Sequence, residues 1–130
     1  MNSPAMLWTG RILTGLFALF MAGASIAPKL MGLPVVEETL AQLGWPAGHG
    51  LAIGILELVL LVLYLVPRTS VLGAVLTTAL LGGAMATQIR AGNPLFSHIL
   101  FSVYLGLFMW GGLWLRHPRL RALFPIVRAG

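Results

Sequence analysis

Charge, acid and cysteine are what this 130-residue chain has least of. Only 8% of its residues are charged, where a water-soluble domain carries roughly a quarter. Aspartate is absent, and the acids are Glu37, Glu38 and Glu57 alone. This poverty excludes an ordinary soluble globule, a disordered tail and an acidic-cluster metal protein. The lack of cysteine removes disulfides, thiol–disulfide exchange, iron–sulfur clusters, Cys-ligated zinc and a Cys nucleophile together. Redox chemistry would have to come from a bound cofactor or a diffusing substrate. There is also no phosphate loop, nucleophile elbow or dinucleotide fingerprint. What is present is apolar: 58% of residues are hydrophobic and the mean hydropathy is +0.95. The solvent for most of this chain is lipid.

Four hydrophobic stretches run from about 8–27, 48–66, 70–89 and 95–115. Each is close to the roughly 20 residues that a helix needs to cross the hydrocarbon core. Pro28-Lys29, Pro67-Arg68, the Arg90 to Pro94 turn and Arg116-His117-Pro118 close them in order. The expected architecture is all-α: a four-transmembrane-helix bundle forming one integral membrane domain over residues 1–130. The first stretch is long and no small-residue cleavage site follows it, so it reads as a span rather than a signal peptide. The loop after it carries Val35, Val36, Leu40 and Leu43 at helical spacing, which predicts a short amphipathic helix at the interface. The tail after Pro118 carries Arg119, Arg121 and Arg128 among apolar residues and is expected to lie along the surface.

The formal net charge of +5 does not point to nucleic acid, because the basic residues form no dense patch interleaved with aromatics. It points to orientation. With four crossings, Arg11, Arg68, Arg116, Arg119, Arg121 and Arg128 share one side, and Lys29 and Arg90 the other. The positive-inside rule then places both termini in the cytoplasm. Trp8, Trp110 and Trp114 on that side and Trp45 opposite suit interfacial anchors.

Glu57 is the only acid inside a hydrophobic stretch. A charge at mid-depth costs several kcal/mol unless neutral or paired, so it needs a reason. Its helical face reads Gly50, Gly54, Glu57, Leu61, Tyr64. The Gly50/Gly54 spacing lets another helix approach closely, which turns Glu57 into the bundle. At the same end lie Ser25 and Lys29, Thr87, Gln88 and Arg90, and His98 and Ser102, with His49 opening the second stretch. These residues are expected to converge on a polar pocket with Glu57 at its floor. Lys29 or Arg90 would pair its charge, His98 would shuttle a proton or hold a polar head, and Thr87, Gln88 and Ser102 would join Lys29 and Arg90 in binding the ligand. The same residues also suit a buried network that only fixes helix register. No histidine spacing marks a metal or haem site. Gly82-Gly83 and Gly111-Gly112 read as close helix packing.

At these residues the chain resembles the DoxX-like family of small bacterial membrane proteins. The resemblance runs from Arg11-Ile12-Leu13 to Leu115-Arg116 and Arg119-Leu120-Arg121. It rests on Lys29-Leu30, Gly54-Ile55-Leu56-Glu57, Pro67-Arg68 with Gly73-Ala74, and Gly82-Gly83-Ala84 followed by Thr87 and Arg90. It implies a multi-pass protein of the bacterial inner membrane. The wider family includes a subunit associated with thiosulfate:quinone oxidoreduction and proteins linked to methylamine utilisation. Lys29, Glu57, Thr87 and Arg90 match its pattern, so a shared site is implied.

Three functions stay open at this point. The first is binding of a small lipophilic molecule, with a quinone leading, by a protein that also serves as a redox-associated subunit or homo-oligomer. The second is a cofactor-free isomerase, hydrolase or cyclase using Glu57 acid/base chemistry. The third is a non-catalytic assembly subunit docking a membrane partner.

Overall fold

The computed structural model describes residues 3–127, and among these it contains helices and no strand. Six helices follow one another: α1 (Pro4–Met31), α2 (Pro34–Gln42), α3 (Gly50–Leu65), α4 (Pro67–Arg90), α5 (Leu95–Arg116) and α6 (Pro118–Leu123). Of these, α1, α4 and α5 are long and apolar enough to cross a membrane, while α3 is a shorter apolar helix of 16 residues. Arg128 lies outside the described residues.

Proline and glycine place most of the boundaries. Pro4, Pro34, Pro67 and Pro118 each sit at the start of a helix, where the missing N–H has no intrahelical partner to lose. Ser3 caps α1 by accepting from the Met6 N–H at 3.1 Å. Gly32 ends α1 with φ +68°, and Gly92 turns the chain after α4 with φ +72°, backbone that favours glycine. Val66 and His117 are extended, as residues before proline prefer, and so α3 and α5 stop there.

Pro28 departs from the sequence expectation. It does not close the first helix, which continues to Met31. Directly before it, Met21–Ile26 widens to π geometry, and the Ala27 N–H donates to the Ala22 carbonyl five residues back. A proline inside a regular α-helix clashes with the carbonyl four residues earlier and removes one hydrogen bond. The wider turn absorbs both effects, so α1 passes Pro28 intact.

The four longest helices pack in a closed order, α1 on α3, α3 on α4, α4 on α5 and α5 on α1. Glycines set three of the contacts. A Cβ at Gly112 would sit 2.8 Å from the Thr14 nitrogen, one at Gly73 2.6 Å from the Tyr64 Cα, and one at Gly54 2.6 Å from the Lys29 Cβ. Gly82 and Gly83 do not serve this way: a Cβ at either meets nothing within 4 Å, so the close packing expected there is absent among the described residues. Phe17, Met21, Leu61, Tyr64, Ala74, Met109 and Leu113 fill the centre. The rim is equally apolar, with Leu19 72% and Leu107 65% exposed. In water such a rim would be a large aggregation-prone patch, whereas in lipid it is the ordinary outer surface.

The amphipathic α2 folds back on the start of α3 with Leu40 buried. Glu37 accepts from the Gly48 N–H at 3.1 Å and the Gly50 N–H at 3.3 Å. These are donors at the head of α3 that its own turns leave unpaired, and a carboxylate there also suits the helix dipole.

Candidate functional site

Glu57 lies near the middle of α3, seven residues or about 10 Å from its first turn. It is 5% exposed. The C-terminal part of α1 runs antiparallel beside it, and the missing side chain at Gly54 lets Lys29 come close. The Lys29 ammonium then donates to Glu57 Oε1 at 2.6 Å and to Ser25 Oγ at 2.7 Å. Ser25 donates in turn to Glu57 Oε2 at 2.6 Å. Three side chains thus close a triangle, with one Lys29 N–H left over. Ser25 belongs to the π segment of α1, so the turn that accommodates Pro28 also carries a member of the triangle.

Among described residues this is the ion pair of the apolar region, and its geometry answers the cost of a lone charge in lipid. Charge-assisted bonds of this length are roughly twice as strong as neutral ones. Beside the triangle, between α1, α3 and α4, lies a narrow crevice with no room for a water molecule as it stands. Glu57 and Thr77 line it together with Phe17, Met21, Leu60 and Leu80.

The structure brings together three of the residues expected to converge, Ser25, Lys29 and Glu57. Thr87 returns its hydroxyl to the Gly83 carbonyl of its own helix at 2.9 Å. Gln88 accepts from the Asn93 amide across the turn. Arg90 is exposed, with its guanidinium near Gly44. His98 is exposed and bonds the neighbouring Ser97 at 2.8 Å. Ser102 is buried on α5 and makes no hydrogen bond to the triangle. No group of three potential metal-ligating side chains occurs among the described residues.

A second buried polar contact lies toward the other end of α3. Tyr64 is fully buried; it donates to the Met109 carbonyl at 2.6 Å and lies 3.2 Å from the Thr14 hydroxyl. Phe17 meets its ring edge-on at 5.4 Å. Sequence reasoning placed Tyr64 on the Glu57 face but assigned it no role. The signal was available, since a buried tyrosine hydroxyl requires a partner.

Fold and site together define an all-helical integral membrane protein with a polar triangle buried among its apolar helices. The DoxX-like family model matches residues 12–112, and the chain belongs to that family. No curated protein and no solved structure matches it.

Proposed function

We infer that this protein binds a small lipophilic molecule with an oxygen-bearing head, a quinone or its reduced form leading, at the Ser25–Lys29–Glu57 triangle. The observation that carries the reading is the 2.6 Å Lys29–Glu57 pair, held in the apolar interior beside a crevice. Intramembrane ionisable groups mark ligand or proton sites by default. Lys29 has an N–H free for a carbonyl oxygen, and Glu57 keeps lone pairs for a hydroxyl, so the donor set suits such a head. The crevice holds no room even for a water molecule as it stands, so it is not a whole-ligand pocket. A head enters it only as its apolar walls part, while the tail extends into lipid.

In this reading α3 is a fourth crossing beside α1, α4 and α5. Both termini face the cytoplasm of a bacterial inner membrane, as the basic residues predict. The triangle's mutual satisfaction also supports a second reading, a pin that fixes α1 on α3 and serves assembly alone.

One experiment separates them. The protein is purified in mild detergent beside Glu57→Gln, and lipophilic molecules that stay bound are identified by mass spectrometry. A specific quinone or other metabolite lost in the variant supports the ligand reading. Bulk phospholipid alone in both samples refutes it and leaves the pin.

A further inference from the structure

Thr77 stands apart from the other threonines of α4. Thr78 returns its hydroxyl to the Ala74 carbonyl at 2.8 Å, and Thr87 does the same with Gly83 at 2.9 Å. Such back-bonding is the usual refuge of a helical threonine. Thr77 is 2% exposed yet makes no hydrogen bond among the described residues. Its side chain lines the crevice that Glu57 also lines. No fully buried side-chain oxygen among the described residues lacks a partner, so this unbonded hydroxyl keeps a trace of accessible surface, and its residue lines a space shared with a carboxylate. The crevice has no room for a water molecule as it stands.

We propose that Thr77 and Glu57 are the two polar anchors of one head-group subsite, and that the subsite selects a lipophilic molecule bearing a hydroxyl over one bearing only acceptors. The inference rests on the ligand reading above and narrows its chemistry. Glu57 paired with Lys29 is a carboxylate, and a carboxylate accepts without donating. A head that meets it must bring an O–H. Thr77 supplies the complement, because its hydroxyl both donates and accepts. A quinol, phenol or long-chain alcohol satisfies both anchors with one oxygen. An acceptor-only head, such as a quinone carbonyl or an ether, can accept from Thr77 or the remaining Lys29 N–H but forgoes the bond to the carboxylate.

The surroundings fit a space that opens for its occupant. Its walls are the apolar side chains Phe17, Met21, Leu60 and Leu80. Met21 begins the π segment of α1 and carries a flexible side chain. The helices α1 and α4 face each other across the ring, each packing chiefly on α3 and α5. Parting them disturbs neither of the glycine contacts at Gly73 and Gly112, which join other helix pairs.

The test uses two redox-inert probes, para-heptylphenol and its methyl ether para-heptylanisole. They share a ring and a tail and differ in the O–H. Both are titrated calorimetrically into the purified full chain in detergent, with protein-free micelles as the partition control. The phenol should bind about tenfold more tightly than the ether, one good hydrogen bond. Thr77→Val keeps the shape and should weaken the phenol by about three- to tenfold. Thr77→Ser should restore the phenol, which excludes a folding artefact. Glu57→Gln gains a donor and should narrow the gap between probes. Equal binding of phenol and ether, or a Thr77→Val variant that binds the phenol as the parent does, overturns the subsite. Binding of neither probe overturns this inference, and with a ligand-free preparation in the mass-spectrometric experiment it removes the ligand reading as well.

Discussion

Removing one member of the Lys29–Glu57 pair should cost far more than removing both. At an effective permittivity of about 20, unit charges 2.6 Å apart attract by about 6 kcal/mol. Withdrawing two ions from water costs several kcal/mol each, so the pair comes close to breaking even. Breaking it is different. In Lys29→Met, Glu57 keeps only Ser25 and stays 5% exposed in an apolar interior. The expected loss is about 3–5 kcal/mol, the cost of an uncompensated buried charge. In Glu57→Leu the ammonium, at 17% side-chain exposure, can extend toward the interface, so the loss should be smaller, about 2–3 kcal/mol. The double variant Lys29→Met/Glu57→Leu leaves no charge behind and should lie within about 1–2 kcal/mol of the parent, or above it. The assay is unfolding in mixed micelles followed by circular dichroism, run on all four proteins as a double-mutant cycle. Additive losses would refute the reasoning, because they would mean that Lys29 and Glu57 act on stability independently despite their contact.

Gly73→Ala should destabilise by about 1–3 kcal/mol or more, since the new methyl meets the Tyr64 backbone, which cannot swing aside as a side chain can; the same unfolding assay checks it, and a neutral result would mean α3 and α4 do not pack this closely. Tyr64→Phe should cost about 1–2 kcal/mol by deleting the donor to the Met109 carbonyl and leaving the Thr14 hydroxyl without its contact. Glu37→Ala removes the acceptor for the Gly48 and Gly50 N–H groups and should cost about 0.5–2 kcal/mol. Its signature is faster amide exchange confined to the first turn of α3. His117, between α5 and α6, is held below the ordinary imidazole value of 6.5, first by burial and then by the neighbouring Arg116 charge. The fold therefore favours the neutral ring, so its contribution is complete above that value and declines as pH falls through it toward the lower folded one. The thermal midpoint should drop on acidification, and His117→Gln should remove part of that drop.

Much of the fold was legible because each signal acts locally. Proline at a first helical position, glycine after a last one and a run of apolar residues each act within a few residues. They disclosed the all-helical class, the amphipathic α2 and the turns. Pro28 misled for the same reason: a proline signals a break unless a neighbouring wide turn absorbs it, and nothing in Met21–Ile26 announces that turn. The site divides along the same line. Glu57 and Lys29 were found because a charge among apolar residues demands a partner. Ser25 was noted on their end of the bundle, but its place between them depends on the π register. Thr87, Gln88 and His98 looked equally available by depth, and the sequence does not reveal that each has a partner within five residues. Thr77 went unassigned because a missing back-bond is invisible in sequence.

The brevity of α3 has a consequence for the surrounding lipid. Its 16 residues reach about 24 Å, while a bilayer's hydrocarbon core measures about 30 Å. The 28 residues of α1 beside it reach about 42 Å. With both as crossings, as proposed above, tilting of α1 and thinning of the bilayer along the α3 flank each relieve the mismatch. Thinning draws the headgroup layer toward the level of Glu57 on that flank alone. In that reading the protein meets a membrane of uneven depth, and its polar triangle lies where the journey in from the aqueous side is shortest.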